Sequence, residues 1–168
     1  MIMKKYQWKL LWQAFHLSNN KDPQAQNDIL FKIKPIVDIF NEIWKQNFTP
    51  GKNLCIDEAV IKYKGRLGIK QYLKDKPNRW GIKAFLLADS SSYYVLKTRI
   101  YKGKSETKKK GTHFPTTIVR ELMDGYLNLG HHLFIDNYYT NLPLIEEFIK
   151  LKTPITGTFR KKLSYHQS

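Results

Sequence analysis

The chain has 168 residues, 42% of them hydrophobic, with 4 Trp, 10 Tyr and 9 Phe. That is enough for one cored domain, or one domain behind a helical preface, and it excludes compositional disorder. Its formal net charge is +15, from 29 Lys and Arg against 14 Asp and Glu. The single cysteine, Cys55, excludes an internal disulfide framework and a Cys-rich zinc module, so no zinc is expected. No apolar run reaches membrane-spanning length, and no signal-peptide core follows Met1–Lys5. A soluble, non-secreted protein without a membrane partner is therefore expected.

In chain order, Tyr6, Trp8, Leu10, Leu11, Ala14 and Phe15 recur at mixed helical spacing. They predict a short helix that ends before the polar stretch 18–27. Asn27 or Asp28 can cap a second helix carrying Ile29, Ile33, Ile36, Val37, Phe40, Ile43 and Trp44 on one stripe. Pro35 should kink that helix or start its main body. The turn-forming run Thr49-Pro50-Gly51-Lys52-Asn53 marks the expected boundary between a helical segment, 1–50, and a second domain, 51–168.

Beyond that turn the pattern becomes strand-like. Strands are predicted over 54–61, 81–88 and 93–101, with a tight turn at Asp89-Ser90-Ser91-Ser92. The segment 66–79 reads as basic and irregular, and 104–111 as a charged loop. A helix follows over 114–127, then a strand over 132–136. Thr140 or Asn141 caps a further helix with Pro143 in its first turn, and 153–159 forms a last short strand. Strand, strand, strand, helix, strand, helix, strand implies an α/β fold, a mixed sheet with helices packed against it. This is the order of the RNase H-like fold, whose catalytic carboxylates sit on the first and fourth strands.

Two segments stand out in that frame. Leu54-Cys55-Ile56-Asp57-Glu58 and Leu133-Phe134-Ile135-Asp136-Asn137 each set an aspartate at the end of an apolar strand-like run. Neighbouring strands can bring two such acids to one divalent ion. Mg²⁺ takes a few carboxylates while keeping waters and phosphate oxygens as its other ligands. Taken alone, Asp57 reads better as a strand-end acid paired with a lysine, and Asp136 as a turn-forming or helix-capping residue. Their matching positions in the predicted topology favour the metal site. Strand alternation turns Glu58 to the other face and makes it structural. Glu146 and Glu147 read as a solvated helix face, and the five histidines as packing or capping residues.

The positive charge is concentrated. Between Lys62 and Lys110 stand fifteen Lys and Arg against three acids, with Tyr63, Tyr72 and Trp80 interleaved. Cations and aromatics in one stretch suit a polyanion such as DNA or RNA, held largely through phosphates.

At these residues the chain resembles the piggyBac family of cut-and-paste DNA transposases and their host-derived relatives. The resemblance lies in Phe15-His16-Leu17, Leu30 to Pro35, Pro50 to Glu58, Lys64-Gly65-Arg66, Gln71-Tyr72 to Lys76-Pro77, Trp80 to Lys83, Gly130 to Thr140 and Gly157 to Arg160, in the family's order. It implies that Asp57 and Asp136 match the first two carboxylates of a DDE-type triad and hold Mg²⁺ or Mn²⁺. The reaction it implies is hairpin-forming excision and insertion at TTAA targets, by a nuclear protein that can be a homodimer. Lys62, Lys64, Arg66, Lys70, Lys74, Lys76, Arg79, Lys83, Lys104, Lys108, Lys109 and Lys110 would then contact the DNA backbone, as would the rest of 97–110. The family's third aspartate lies well downstream of the second, so this chain reads as the N-terminal part of a catalytic region, inactive alone. A sheet face left partly uncovered, an exposed apolar patch and marginal stability are expected with it. A non-catalytic DNA-binding or interaction module and a non-functional transposon remnant are the alternatives.

Overall fold

A computed structural model describes residues 3–19, 21–23, 28–74, 79–107 and 113–159. The chain forms two compact units, Met1–Phe40 and Asn41–Ser168. The first contains α1 (Lys5–Ala14) and the start of α2 (Lys34–Asn47). The main body of α2 begins at Lys34, immediately before Pro35, so the proline starts this helix without kinking it. No residue of α1 is buried, and Trp8, Trp12 and Phe15 stack in succession along it at centroid distances of 5.6 and 6.2 Å.

The second unit holds a mixed sheet of β1 (Asn53–Lys62), β2 (Lys70–Tyr72), β3 (Trp80–Asp89), β4 (Val95–Ile100), β5 (His132–Ile135) and β6 (Ile155–Gly157). The strand order is β2-β3-β1-β5-β6, with β4 also paired to β3. β3 runs antiparallel to β1, β2 and β4, whereas β5 runs parallel to both β1 and β6. Among the described residues the unit also holds the rest of α2 and three short helices: α3 (Lys104–Thr107), α4 (Phe114–Met123) and α5 (Leu142–Lys150). β2 lies within the segment predicted to be irregular, and α3 within the predicted charged loop. Both are too short for periodicity to reveal, and β2 owes its form to pairing of Tyr72 with Trp80.

Alternation decides which face carries the core. Leu54 and Ile56 of β1, Phe85 and Leu87 of β3, and Leu133 and Ile135 of β5 join Ile118, Val119, Leu122 and Met123 of α4 and Leu144 and Phe148 of α5 in one buried cluster. Full burial of each such side chain contributes about 1.5–3 kcal/mol, which is why these short helices hold without strong intrinsic propensity. Asn141 caps α5 by accepting the Leu144 N–H at 3.0 Å, with Pro143 in the first turn. α4 stops at Asp124, where Gly125 takes φ +89°, a backbone state open to glycine. At the sheet edge, the Asn41 side-chain amide donates to the Thr98 carbonyl and accepts from its N–H, satisfying unpaired groups of β4.

The parallel pair β1–β5 is tied together at the end where both strands begin. Asp89, 2% exposed, accepts from the Gly51 N–H at 2.9 Å, and the Gly51 carbonyl accepts from His131 Nδ1 at 2.9 Å. The His132 N–H donates to the Lys52 carbonyl at 2.7 Å. These bonds join the β3–β4 turn to the segments entering β1 and β5. They oppose a register slip, which would turn every side chain of a strand to the other face.

Candidate metal and nucleic-acid site

With β1 and β5 parallel, Leu54 pairs with Leu133 and Ile56 with Ile135. One step further along both strands lie Asp57 and Asp136, on chains about 5 Å apart. Both point away from the helix-bearing core, and both are exposed. They line an open cleft together with Cys55, Phe134, Thr156 and Thr158. Apolar side chains carried there include Phe134, 37% exposed, on the face turned away from α4 and α5.

Local bonds aim the two carboxylates. Asp57 Oδ1 accepts the Glu58 N–H at 2.7 Å, and Asp136 Oδ1 accepts the Asn137 N–H at 2.5 Å. The Asp136 carbonyl accepts the Tyr139 N–H and the Thr140 hydroxyl, each at 3.0 Å, closing the turn behind the acid. Gly157, in register with Ile135, lets β6 approach this turn. A Cβ there would meet Thr140 Oγ1 and would lie 3.1 Å from the Ile135 carbonyl. Neither aspartate forms an ion pair among the described residues, and no third histidine, cysteine or carboxylate completes a metal-holding group with them there. Two carboxylates side by side and free of a cationic partner suit a hard divalent ion.

Glu58 lies on the opposite face, as alternation predicted. It accepts from Lys83 Nζ at 2.8 Å, and Lys83 also lies over the rings of Phe85 and Tyr138. Beside them the buried Tyr139 hydroxyl makes no hydrogen bond of ordinary geometry. Burial, with the Glu58 charge next to it, pushes its pKa far up and keeps it protonated. Glu147 forms a bidentate pair with Arg120 across α4 and α5.

The cations read as phosphate contacts divide into two groups. Lys62, Lys64, Arg66, Lys74, Arg79 and Lys104 are exposed, and Lys70 is half-buried. Lys83, by contrast, is 17% exposed and neutralised by Glu58, so a structural role replaces the expected phosphate contact. Lys97 and Arg99 need the same correction. Lys97 Nζ donates to the carbonyl of Glu121 at the end of α4, and Arg99 pairs with Glu106 of α3 and Glu121 of α4. Their partners are remote in sequence, so a charge count could not separate them from free surface cations. Lys76, Lys108, Lys109 and Lys110 lie outside the described residues. Of the histidines, His113 Nδ1 meets the Thr116 hydroxyl at 2.9 Å without capping a backbone N–H, and His132 Nε2 meets Thr156 Oγ1 at 2.8 Å.

A family model described as Transposase IS4 matches residues 1–167. The chain belongs to that transposase family. Within it, this chain is similar to the human piggyBac transposable element-derived protein 3, at 25% identity over 95% of this chain, and to the human piggyBac transposable element-derived protein 2, at 23% over 95%. It spans 27% of the length of each of these relatives. Among solved structures it is similar to the piggyBac transposase in a synaptic complex with hairpin DNA. The TM-score is 0.85 at 27% identity, over 96% of this chain and 34% of that one. The piggyBac resemblance and the RNase H-like arrangement of sheet and helices are thereby established for the transposase chain. Asp57 and Asp136 fall on its first strand and at the end of its central parallel neighbour, β5.

Proposed function

We propose that this transposase chain supplies two of the three carboxylates of a metal-dependent DNA strand-cleavage and strand-transfer site. Asp57 and Asp136 would hold Mg²⁺ or Mn²⁺. Bound there, the ion supplies positive charge for the attacking and leaving oxygens of a phosphodiester. The chain's own contribution is to keep the two acids in register, to close the Asp136 turn through Thr140, and to leave the face open to DNA. The observation that carries this reading is the acid pair one step beyond the β1–β5 register, without a cationic partner among the described residues. The piggyBac–DNA complex supports DNA as the polyanion that meets the exposed Lys62, Lys64, Arg66, Lys74 and Arg79. Cut-and-paste transposition at TTAA targets, a homodimeric assembly and a nuclear location are the further elements that the resemblance brings to this proposal.

A second reading is a DNA-binding module without catalysis, favoured by the lack of a third ligand among the described residues. Both readings expect the 168-residue chain to bind DNA with an affinity that falls steeply as salt rises. Incubated with supercoiled plasmid and Mn²⁺, the chain is expected to leave it intact, because a two-acid site lacks its third anchor. Nicking by the wild type that disappears in Asp57→Ala and Asp136→Ala would show instead that two acids suffice. Absence of salt-sensitive DNA binding would remove both readings and leave a non-functional remnant.

A further inference from the structure

Trp80 and Tyr72 are 53% and 50% exposed, and their ring centroids lie 4.9 Å apart. Large aromatic surfaces of this kind cost free energy in water unless something stacks on them. Tyr63 differs from them, because its ring lies over Gly65, where a Cβ would come within 2.5 Å of its hydroxyl. Lys70 Nζ sits 5.2 Å from the centre of the Trp80 ring and donates to the Gly65 carbonyl at 2.9 Å, which fixes a cation beside the aromatic pair. In sequence, 62–79 carries seven Lys and Arg and a single acid, Asp75.

The pair also lies on the informative face of the sheet. Asp57 pairs with Leu86, and alternation along β3 puts Leu86, Ala84, Ile82 and Trp80 on one side. Tyr72 pairs directly with Trp80. The aromatic pair and the acid pair therefore share a face, separated by six residues of β3, about 20 Å. A stacked nucleic-acid strand advances about 3.4 Å per nucleotide, so some six nucleotides would cover that span.

We propose that Tyr72 and Trp80 form a stacking platform for unpaired DNA nucleotides, with Lys70 and the neighbouring cations holding the phosphates and the strand running along the sheet face from the acid pair. This rests on the DNA reading given above and adds to it the state of the DNA, single-stranded at this position. Charge complementarity selects the occupant. An apolar protein partner would meet a surface crowded with cations, whereas every base offers a face to stack and every phosphate a negative charge.

The test compares binding of a 15-nucleotide oligothymidine with that of a 15-base-pair duplex by fluorescence anisotropy, for wild type, Trp80→Ala, Tyr72→Ala and Trp80→Phe. Trp80→Ala is expected to weaken oligothymidine binding on the order of tenfold, with duplex binding and the slope of affinity against salt nearly unchanged. Trp80→Phe should recover most of the loss, and circular dichroism of each variant verifies the fold. Equal affinity of wild type and both alanine variants for oligothymidine would overturn the platform, as would equal losses on oligothymidine and duplex. A wild type that binds neither DNA removes the DNA reading itself. Salt-sensitive binding of both DNAs with no loss on oligothymidine in Trp80→Ala or Tyr72→Ala removes only the platform.

Discussion

Replacing Asp89 with alanine is expected to destabilise the fold by about 3 kcal/mol and to lower the melting temperature by about 10 °C. The carboxylate accepts from the Gly51 N–H at 2.9 Å, the Ser91 N–H at 3.2 Å, and the Ser92 N–H and hydroxyl, each at 2.8 Å. Hydrogen bonds to a charged acceptor are worth more than neutral ones, and their loss strands buried donors. The Ser92 backbone and side-chain bonds, against an opposing desolvation, hold the Asp89 carboxyl below the ordinary carboxylate range. The sign of the pH effect follows. The stabilisation is fully present above the unfolded-chain value of about 4 and is lost as pH falls through the lower folded value. Urea unfolding of wild type and Asp89→Asn at pH 7 and across the acid limb should show the two curves converging as Asp89 protonates. Curves that stay parallel down the acid limb would remove the carboxylate from this role. Because Gly51 also binds His131, the loss should loosen the register of β1 against β5, and with it the alignment of Asp57 with Asp136.

Gly157→Ala is expected to cost about 2 kcal/mol and to weaken divalent-ion binding several-fold, although residue 157 carries no ligand. The added methyl meets Thr140 Oγ1 and crowds the Ile135 carbonyl, and Thr140 can yield only by giving up its bond to the Asp136 carbonyl. Thr140→Ala in the same chain removes the collision. The double variant should therefore lose less stability than the sum of the two single changes, by about 1 kcal/mol. Strict additivity in chemical denaturation would show that the glycine acts elsewhere.

The apolar runs ending in Asp57 and Asp136 were legible because alternation and strand length are local properties, and the order of elements placed them on neighbouring strands. Asn141 likewise announced the start of its helix, whereas the second helix, expected from Asn27 or Asp28, begins only at Lys34 before Pro35. Register was not legible, since nothing in the sequence states that Ile56 faces Ile135. The partners of Lys83, Lys97 and Arg99 lie 7 to 27 residues away, so cations committed to ion pairs or carbonyls looked the same as free ones. Asp89 read correctly as a turn residue, but its bond to Gly51, 38 residues back, makes it a clamp on the sheet as well. Gly157 stood only as part of the resembling segment Gly157 to Arg160, with no sign of why a glycine is needed, because that requirement comes from Thr140 on a neighbouring loop.

The acid pair also carries a cost that its proposed function explains. Two carboxylates side by side on parallel strands repel each other, and neither finds a cation among the described residues. A functional site can retain such a feature at the expense of stability. Thermal unfolding with and without Mn²⁺ tests this most directly, in wild type, Asp57→Asn and Asp136→Asn. Without metal, each variant should match or exceed the wild type by up to about 1 kcal/mol, the size of the relieved repulsion. With millimolar Mn²⁺ the wild type should gain several degrees by ligation to the folded state, and either variant should lose that gain. An equal Mn²⁺ shift in all three proteins, or a metal-free loss of stability in both variants, would contradict a metal-holding role for Asp57 and Asp136.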